Sequence, residues 1–126
     1  MYQSKRHYRI LGEETWNRIP QVLRNHLLSI IDEVDDMHHH SKQAEIWTAL
    51  KKRGIDTEQR ISVEGYSHAK RVDGYFRCDA TRVVIEIESS TIENAYNDTL
   101  KILTLKKINA IDFGVILAKY SIYGFA

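Results

Sequence analysis

The run Ala110-Ile111-Asp112-Phe113-Gly114-Val115-Ile116-Leu117 is almost continuously apolar. Such a run suits a strand buried on both faces, which usually means a parallel partner in a sheet covered by helices. The rest of the chain must then supply that partner and those helices.

Periodicity upstream supplies them. Trp16, Ile19, Leu23, Leu27, Ile30, Ile31 and Val34 recur at three- and four-residue spacing, as one face of an amphipathic helix does, with Pro20 marking its first turn or kinking it. A second helix is expected from near Ser41 to before Gly54, with Ile46, Trp47, Ala49 and Leu50 as its buried stripe. Three strand signals follow: Arg60-Ile61-Ser62-Val63-Glu64, the stretch from Lys70 to Cys78 around Gly74, and Arg82-Val83-Val84-Ile85-Glu86-Ile87-Glu88, the strongest in the chain. Asp79-Ala80-Thr81 is short enough to turn the second into the third, so the three are expected as an antiparallel meander. A last helix starts near Ser90 or Thr91 on the period of Ile92, Ala95, Tyr96, Thr99, Leu100, Leu103 and Lys107, and leads into the apolar run. The expected fold is mixed α/β, with the order α, three β, α, β behind an extra N-terminal helix.

At 126 residues the chain suits a single domain with one hydrophobic core. Residues 1–40 form an N-terminal helical extension in this reading, 41–118 the core, and 119–126 a tail that is apolar for a chain end and either docks on the domain or meets a second subunit. A composition of 43% hydrophobic and 28% charged residues with one Pro excludes disordered and collagen-like classes. No apolar run is long enough to span a bilayer, which leads to the expectation of a soluble, cytoplasmic protein. Cys78, the single cysteine, rules out an internal disulfide and is expected as a packing residue. Eighteen Lys and Arg against seventeen Asp and Glu give a net charge of +1, so net charge argues neither for nor against a nucleic-acid partner.

The acids in the strongest strand carry more information. A period of two puts Val84, Glu86 and Glu88 on one face and Val83, Ile85 and Ile87 on the other. Two carboxylates side by side on a largely buried strand repel each other and lose hydration, so a positive charge is expected near them. Asp73 adds a third acid on the preceding strand. Symmetric pairing about Ala80 sets Gly74 opposite Glu86 and leaves Asp73 one residue off. Hard oxygen ligands converging in this way are what Mg²⁺ or Mn²⁺ prefers.

Arg71-Val72-Asp73-Gly74-Tyr75 followed by Val83-Val84-Ile85-Glu86-Ile87-Glu88 resembles the motif of the PD-(D/E)XK nuclease superfamily, over about residues 41 to 118. The resemblance implies a restriction-endonuclease-like α-β-β-β-α-β core, a mixed sheet flanked by helices, and Mg²⁺- or Mn²⁺-dependent hydrolysis of DNA phosphodiester bonds. It implies Asp73 and Glu86 as metal ligands with the carbonyl of Ile87, and Glu45 on the preceding helix as a further acid. Two positions depart from the pattern: Val72 stands for Pro, and Glu88 stands for the motif Lys, as in restriction endonucleases of the BamHI type. The general base is then either Glu88 or a migrated Lys, with Lys101 on the following helix as the candidate. A homodimer is expected, because two sites must face two strands. Restriction-type or phage or host-defence cleavage is preferred over Holliday junction resolution. The competing class is a non-catalytic nucleic-acid-binding or assembly module that kept the fold.

Flanking residues complete the reading. Lys70 and Arg71 adjoin the proposed site and are expected at phosphate, and His68 is a further candidate for nucleic-acid contact, though a loop histidine explains it as well. Lys51-Lys52-Arg53 and Lys106-Lys107 suit helix ends. Tyr66, Tyr75 and Tyr96 suit either base stacking or core packing. His38-His39-His40 is expected as a solvated loop, since three consecutive side chains rarely point at one ion.

Overall fold

Val83, Val84 and Ile85 are fully buried at the centre of a mixed sheet. In the computed structural model, which describes residues 9–34, 43–61, 70–88, 92–118 and 121–125, that sheet has six strands. They are β1 (Arg9–Leu11), β2 (Asp56–Ile61), β3 (Lys70–Cys78), β4 (Thr81–Ile87), β5 (Phe113–Ala118) and β6 (Ser121–Phe125), in the spatial order β1-β6-β5-β4-β3-β2. The apolar run forms β5 and lies parallel to β4, with Gly114, Val115, Ile116 and Leu117 buried. β2, β3 and β4 form the antiparallel meander.

Four helices cover the sheet among the described residues: α1 (Glu13–Arg18), α2 (Gln21–Glu33), α3 (Gln43–Lys52) and α4 (Ile92–Lys107). Pro20 has no N–H to give an incoming helix. It ends α1 and caps α2, its carbonyl accepting from the amides of Leu23 and Arg24, so the N-terminal helix is two helices sharing one apolar stripe. All seven residues of that stripe, Trp16 through Val34, are buried. They pack with Ile46, Ala49 and Leu50 of α3 on the face of the sheet that carries Val83, Ile85, Val115 and Leu117. On the other face Ile102 and Leu105 of α4 pack against Val72, Val84 and Ile116. Among the described residues no helix is long and apolar enough to cross a membrane.

Four differences from the sequence expectations bear on the site. The first strand of the meander is Asp56–Ile61 rather than the run from Arg60 to Glu64, most of which lies outside the described residues. β2 is a sheet edge and largely exposed, so it has no need of the apolar alternation that marks a covered strand. Next, the β3–β4 turn is the two residues Asp79 and Ala80, with Thr81 already in β4. Asp79 takes a φ of 54°, a left-handed conformation that Asp tolerates, which lets the chain reverse that tightly. The register shifts by one accordingly, and Gly74 pairs with Ile85 and not with Glu86.

Third, α4 turns a different face inward from the one its sequence period suggests. Tyr96, Leu100 and Leu103 are exposed, at 63%, 44% and 47%, while Ile102 and Leu105 are fully buried. Gly114 explains this: a Cβ there would lie 2.3 Å from Cγ2 of Ile102, so the missing side chain is the space into which α4 settles. Finally, the segment expected as a tail supplies β6, hydrogen-bonded between β5 and β1. β1 leads into α1 at Gly12, whose φ is 72° and whose Cβ would stand 2.7 Å from the carbonyl oxygen of Gly124 in β6, so only glycine fits that crossing.

Candidate active site

The acids gather where β3 and β4 part. Their last ladder pair is Gly74 and Ile85, and one step further the same register sets Asp73 opposite Glu86. The ladder stops there because the Asp73 carboxylate takes the place of the backbone: its Oδ2 accepts the Ile87 amide at 2.8 Å. Alternation breaks at the same point. Gly74 and Phe76 face the α1–α3 side, yet Val72 packs with the α4 side. On β2, between the pairs Thr57–Gly74 and Gln59–Val72, Glu58 has a φ of 51°. The bend turns Asp73 towards the end of β4.

Glu86 lies at 2% exposure, the one buried charged residue among those described. Its Oε1 accepts from the Lys101 ammonium of α4 at 2.9 Å. Burial pushes its pKa up to about 8, helped by the charge of Asp73 and a hydrogen bond with it, and opposed by Lys101. Beyond the end of β4 stands Glu88, half-buried, its amide donating to the Leu117 carbonyl at 3.0 Å. Asp98, one turn before Lys101 on α4, shares a hydrogen bond with Glu88. Burial, that hydrogen bond and the Glu88 charge push its pKa up to about 7 against the pull of Lys101.

Asp73, Glu86, Glu88 and Lys101 are thus brought together as the sequence suggested, and Ile87 sits among them with its N–H turned to Asp73. Glu45 is elsewhere. It is exposed in the first turn of α3, in the layer on the other face of the sheet, and lines a groove with Glu33, Val34, Thr48 and Lys52. Arg71 is exposed and paired with Glu58 of β2. Lys70 opens β3 opposite Ile61. His68, Tyr66 and the His38–His40 run lie outside the described residues. Tyr75 packs with the α4-side cluster, whereas Tyr96 is exposed.

Asp98 is the member that sequence reasoning missed. The signal was its spacing: three residues before Lys101, it must share that residue's helix face. The exposed Tyr96, Leu100 and Leu103 drew the apolar period the wrong way round the helix.

Burial above all, and then the neighbouring carboxyls, lets Glu86 and Asp98 hold protons to near or above neutral pH, and with four carboxyls facing one ammonium the cluster is also short of positive charge. Among the described residues no three His, Cys, Asp or Glu side chains are disposed to hold a metal ion. The Lys101 ammonium already bonds Oε1 of Glu86, so a cation at that oxygen must displace it. In kind, however, the donors fit: carboxylate oxygens on one buried and three half-buried residues, with a charge deficit a divalent ion would fill. Comparison of the chain with family models, with curated proteins and with solved structures found no match.

Proposed function

We propose that this chain is a divalent-metal-dependent endonuclease of the PD-(D/E)XK kind that hydrolyses DNA phosphodiester bonds. The observation that carries the reading is the opposition of Asp73 and buried Glu86 at the bend of β3, with Lys101 reaching the same carboxylate from α4. The order α3-β2-β3-β4-α4-β5, with β5 parallel to β4, supports the reading, since the resemblance implies a core with elements in that sequence.

Asp73 and Glu86 would hold Mg²⁺ or Mn²⁺, with the Ile87 carbonyl completing the set. When bound, the ion lowers the pKa of a water and offsets charge developing on phosphate. The chain's own residues do the rest. Glu88 and Asp98, sharing one hydrogen bond, form the pair able to take the proton of the attacking water. Lys101, which reaches Glu86 from α4, would supply the positive charge that Glu88 cannot. Glu45 has no part in this arrangement. Two copies of the chain would set two such sites against the two strands of a duplex.

A non-catalytic nucleic-acid-binding module is the second reading, favoured by the closed Lys101–Glu86 ion pair. One panel separates the two: plasmid and four-way junction incubated with the protein in Mg²⁺, Mn²⁺ or EDTA. Expected are cleavage in either metal, none in EDTA, and a loss of at least a hundredfold in Glu86→Gln with its melting transition retained. Binding without cleavage in every metal selects the module, and undiminished cleavage by Glu86→Gln overturns the assignment of the site.

A further inference from the structure

We infer that the opposite end of the sheet carries a second site, one that takes a phosphate group. A cavity of ≈ 410 Å³ opens there, lined by Arg18, Thr81, Lys106, Asn109, Asp112 and Phe113. Arg18 comes from α1 and Lys106 from α4, on opposite faces of the sheet, and both converge on the ring of Phe113 at the start of β5. The Arg18 guanidinium carbon is 5.5 Å from the ring centroid and the Lys106 ammonium 5.9 Å, so the two charges stand no more than about 11 Å apart.

The charges in the cavity do not cancel. Asp112 is the acid among the lining residues, and its carboxylate is taken by Arg82: Oδ2 accepts the Arg82 amide at 2.8 Å and Nε at 3.2 Å. Arg82 is spent in turn, since its remaining nitrogens go to the Asn109 carbonyl and to the Asn109 and Asp112 side chains. Lys106 gives one hydrogen to the Asp112 carbonyl at 2.8 Å, which leaves two. Among the described residues no carboxylate pairs with Arg18. Two uncompensated cations in a concave site focus positive potential on whatever enters it. A planar guanidinium fork and an ammonium each match phosphate oxygens, and the Thr81 hydroxyl and the exposed Asn109 amide add neutral donors.

The volume exceeds that of a bare phosphate ion and falls in the range of small-ligand pockets, about 300–1,000 Å³. A phosphate carrying a nucleoside therefore fits, whether free or part of a strand. β4 begins at Thr81 beside this cavity and ends at Ile87 beside the acids, a span of about 20 Å at about 3.3 Å per residue. The phosphate held here is not one that the acidic cluster could attack. The site rests on its own residues and stands or falls apart from the nuclease reading.

The test follows backbone amide resonances of the full chain at constant ionic strength during titration with inorganic phosphate, adenosine 5′-monophosphate, a single-stranded oligonucleotide lacking terminal phosphate, and sodium chloride as the control. Expected are saturable shifts at Ala80, Thr81 and Asn109 with phosphate, weakened at least tenfold in Arg18→Glu and unchanged in Glu86→Gln. Arg18 is exposed and holds no structural hydrogen bond among the described residues, so its variant should keep the fold; Lys106→Gln, which loses a bond to the β5 approach, serves as the second variant. Tighter binding of the mononucleotide than of the oligonucleotide assigns the site to free nucleotides, and the reverse assigns it to a strand. Shifts that do not saturate, that chloride reproduces, or that Arg18→Glu leaves intact overturn the proposal.

Discussion

Glu86 is a carboxyl at 2% exposure, hydrogen-bonded to a second carboxyl and to one ammonium. Its pKa rises from 4.5 to about 8, and that of Asp98 from 3.8 to about 7. Between those limits the folded chain binds more protons than the unfolded chain, so these two groups lower stability progressively as pH rises from about 4 to about 8. Glu33 and Asp112, held below the usual carboxylate range by Arg53 and Arg82, act in the opposite sense but only in acid below that window. The comparison that isolates the effect is wild type against Glu86→Gln. Without metal, the stability of wild type relative to the variant should fall between pH 5 and pH 8.5 in urea titrations; a constant difference would refute the assignment. Against wild type, whose advantage should here grow with pH, the same carboxyl is tested from the other partner by Lys101→Met. It leaves Glu86 without its cation, and should cost about 1–3 kcal/mol more at pH 8.5 than at pH 5, where the carboxyl is already neutral. Asp73 and Glu86 were legible because acids in a β-branched strand stand out from its pattern and demand a cation, whereas Lys101 came only from the resemblance, as a candidate for the displaced motif Lys. Asp98 was not legible, because nothing in the apolar pattern of its helix pointed to the face it shares with Lys101.

At the scale of elements, the site depends on how closely α4 lies on β5. Ile102, next to Lys101, fills the space above Gly114. Gly114→Ala should therefore push the helix outward, destabilising the fold by about 1–3 kcal/mol through overpacking and weakening the contact of Lys101 and Asp98 with the end of β4. Chemical denaturation measures the first effect, and loss of the pH signature described for Glu86 measures the second. Stability equal to wild type would show that α4 is not seated by that glycine. The buried stripes of α1, α2 and α3 and the strands β3 and β4 were readable from periodicity because each has a covered face, and β5 from its unbroken apolar run; for α4 the period located the helix and mistook its inner face. β1 is three residues long, too short to show a period, and β2 is a polar edge. The one-residue error in register came from the turn: whether Asp79 adopts a left-handed conformation decides between a two- and a three-residue loop, and so decides whether Asp73 or Gly74 meets Glu86.

For the molecule as a whole, a net charge of +1 conceals two ends of opposite character. The C-terminal end of β4 gathers Asp73, Glu86, Glu88 and Asp98 around Lys101, and its N-terminal end gathers Arg18 and Lys106 around Phe113. Net charge cannot reveal such a division, since it arises only when the sheet brings distant residues together. The central claim is that the acidic end takes a divalent cation. Isothermal titration of the full chain with Mn²⁺ at pH 7.5, beside Asp73→Asn and Glu86→Gln, tests it most directly. Saturable binding that each substitution weakens at least tenfold is the expected result; absence of binding by the wild type, or equal binding by all three, would contradict it.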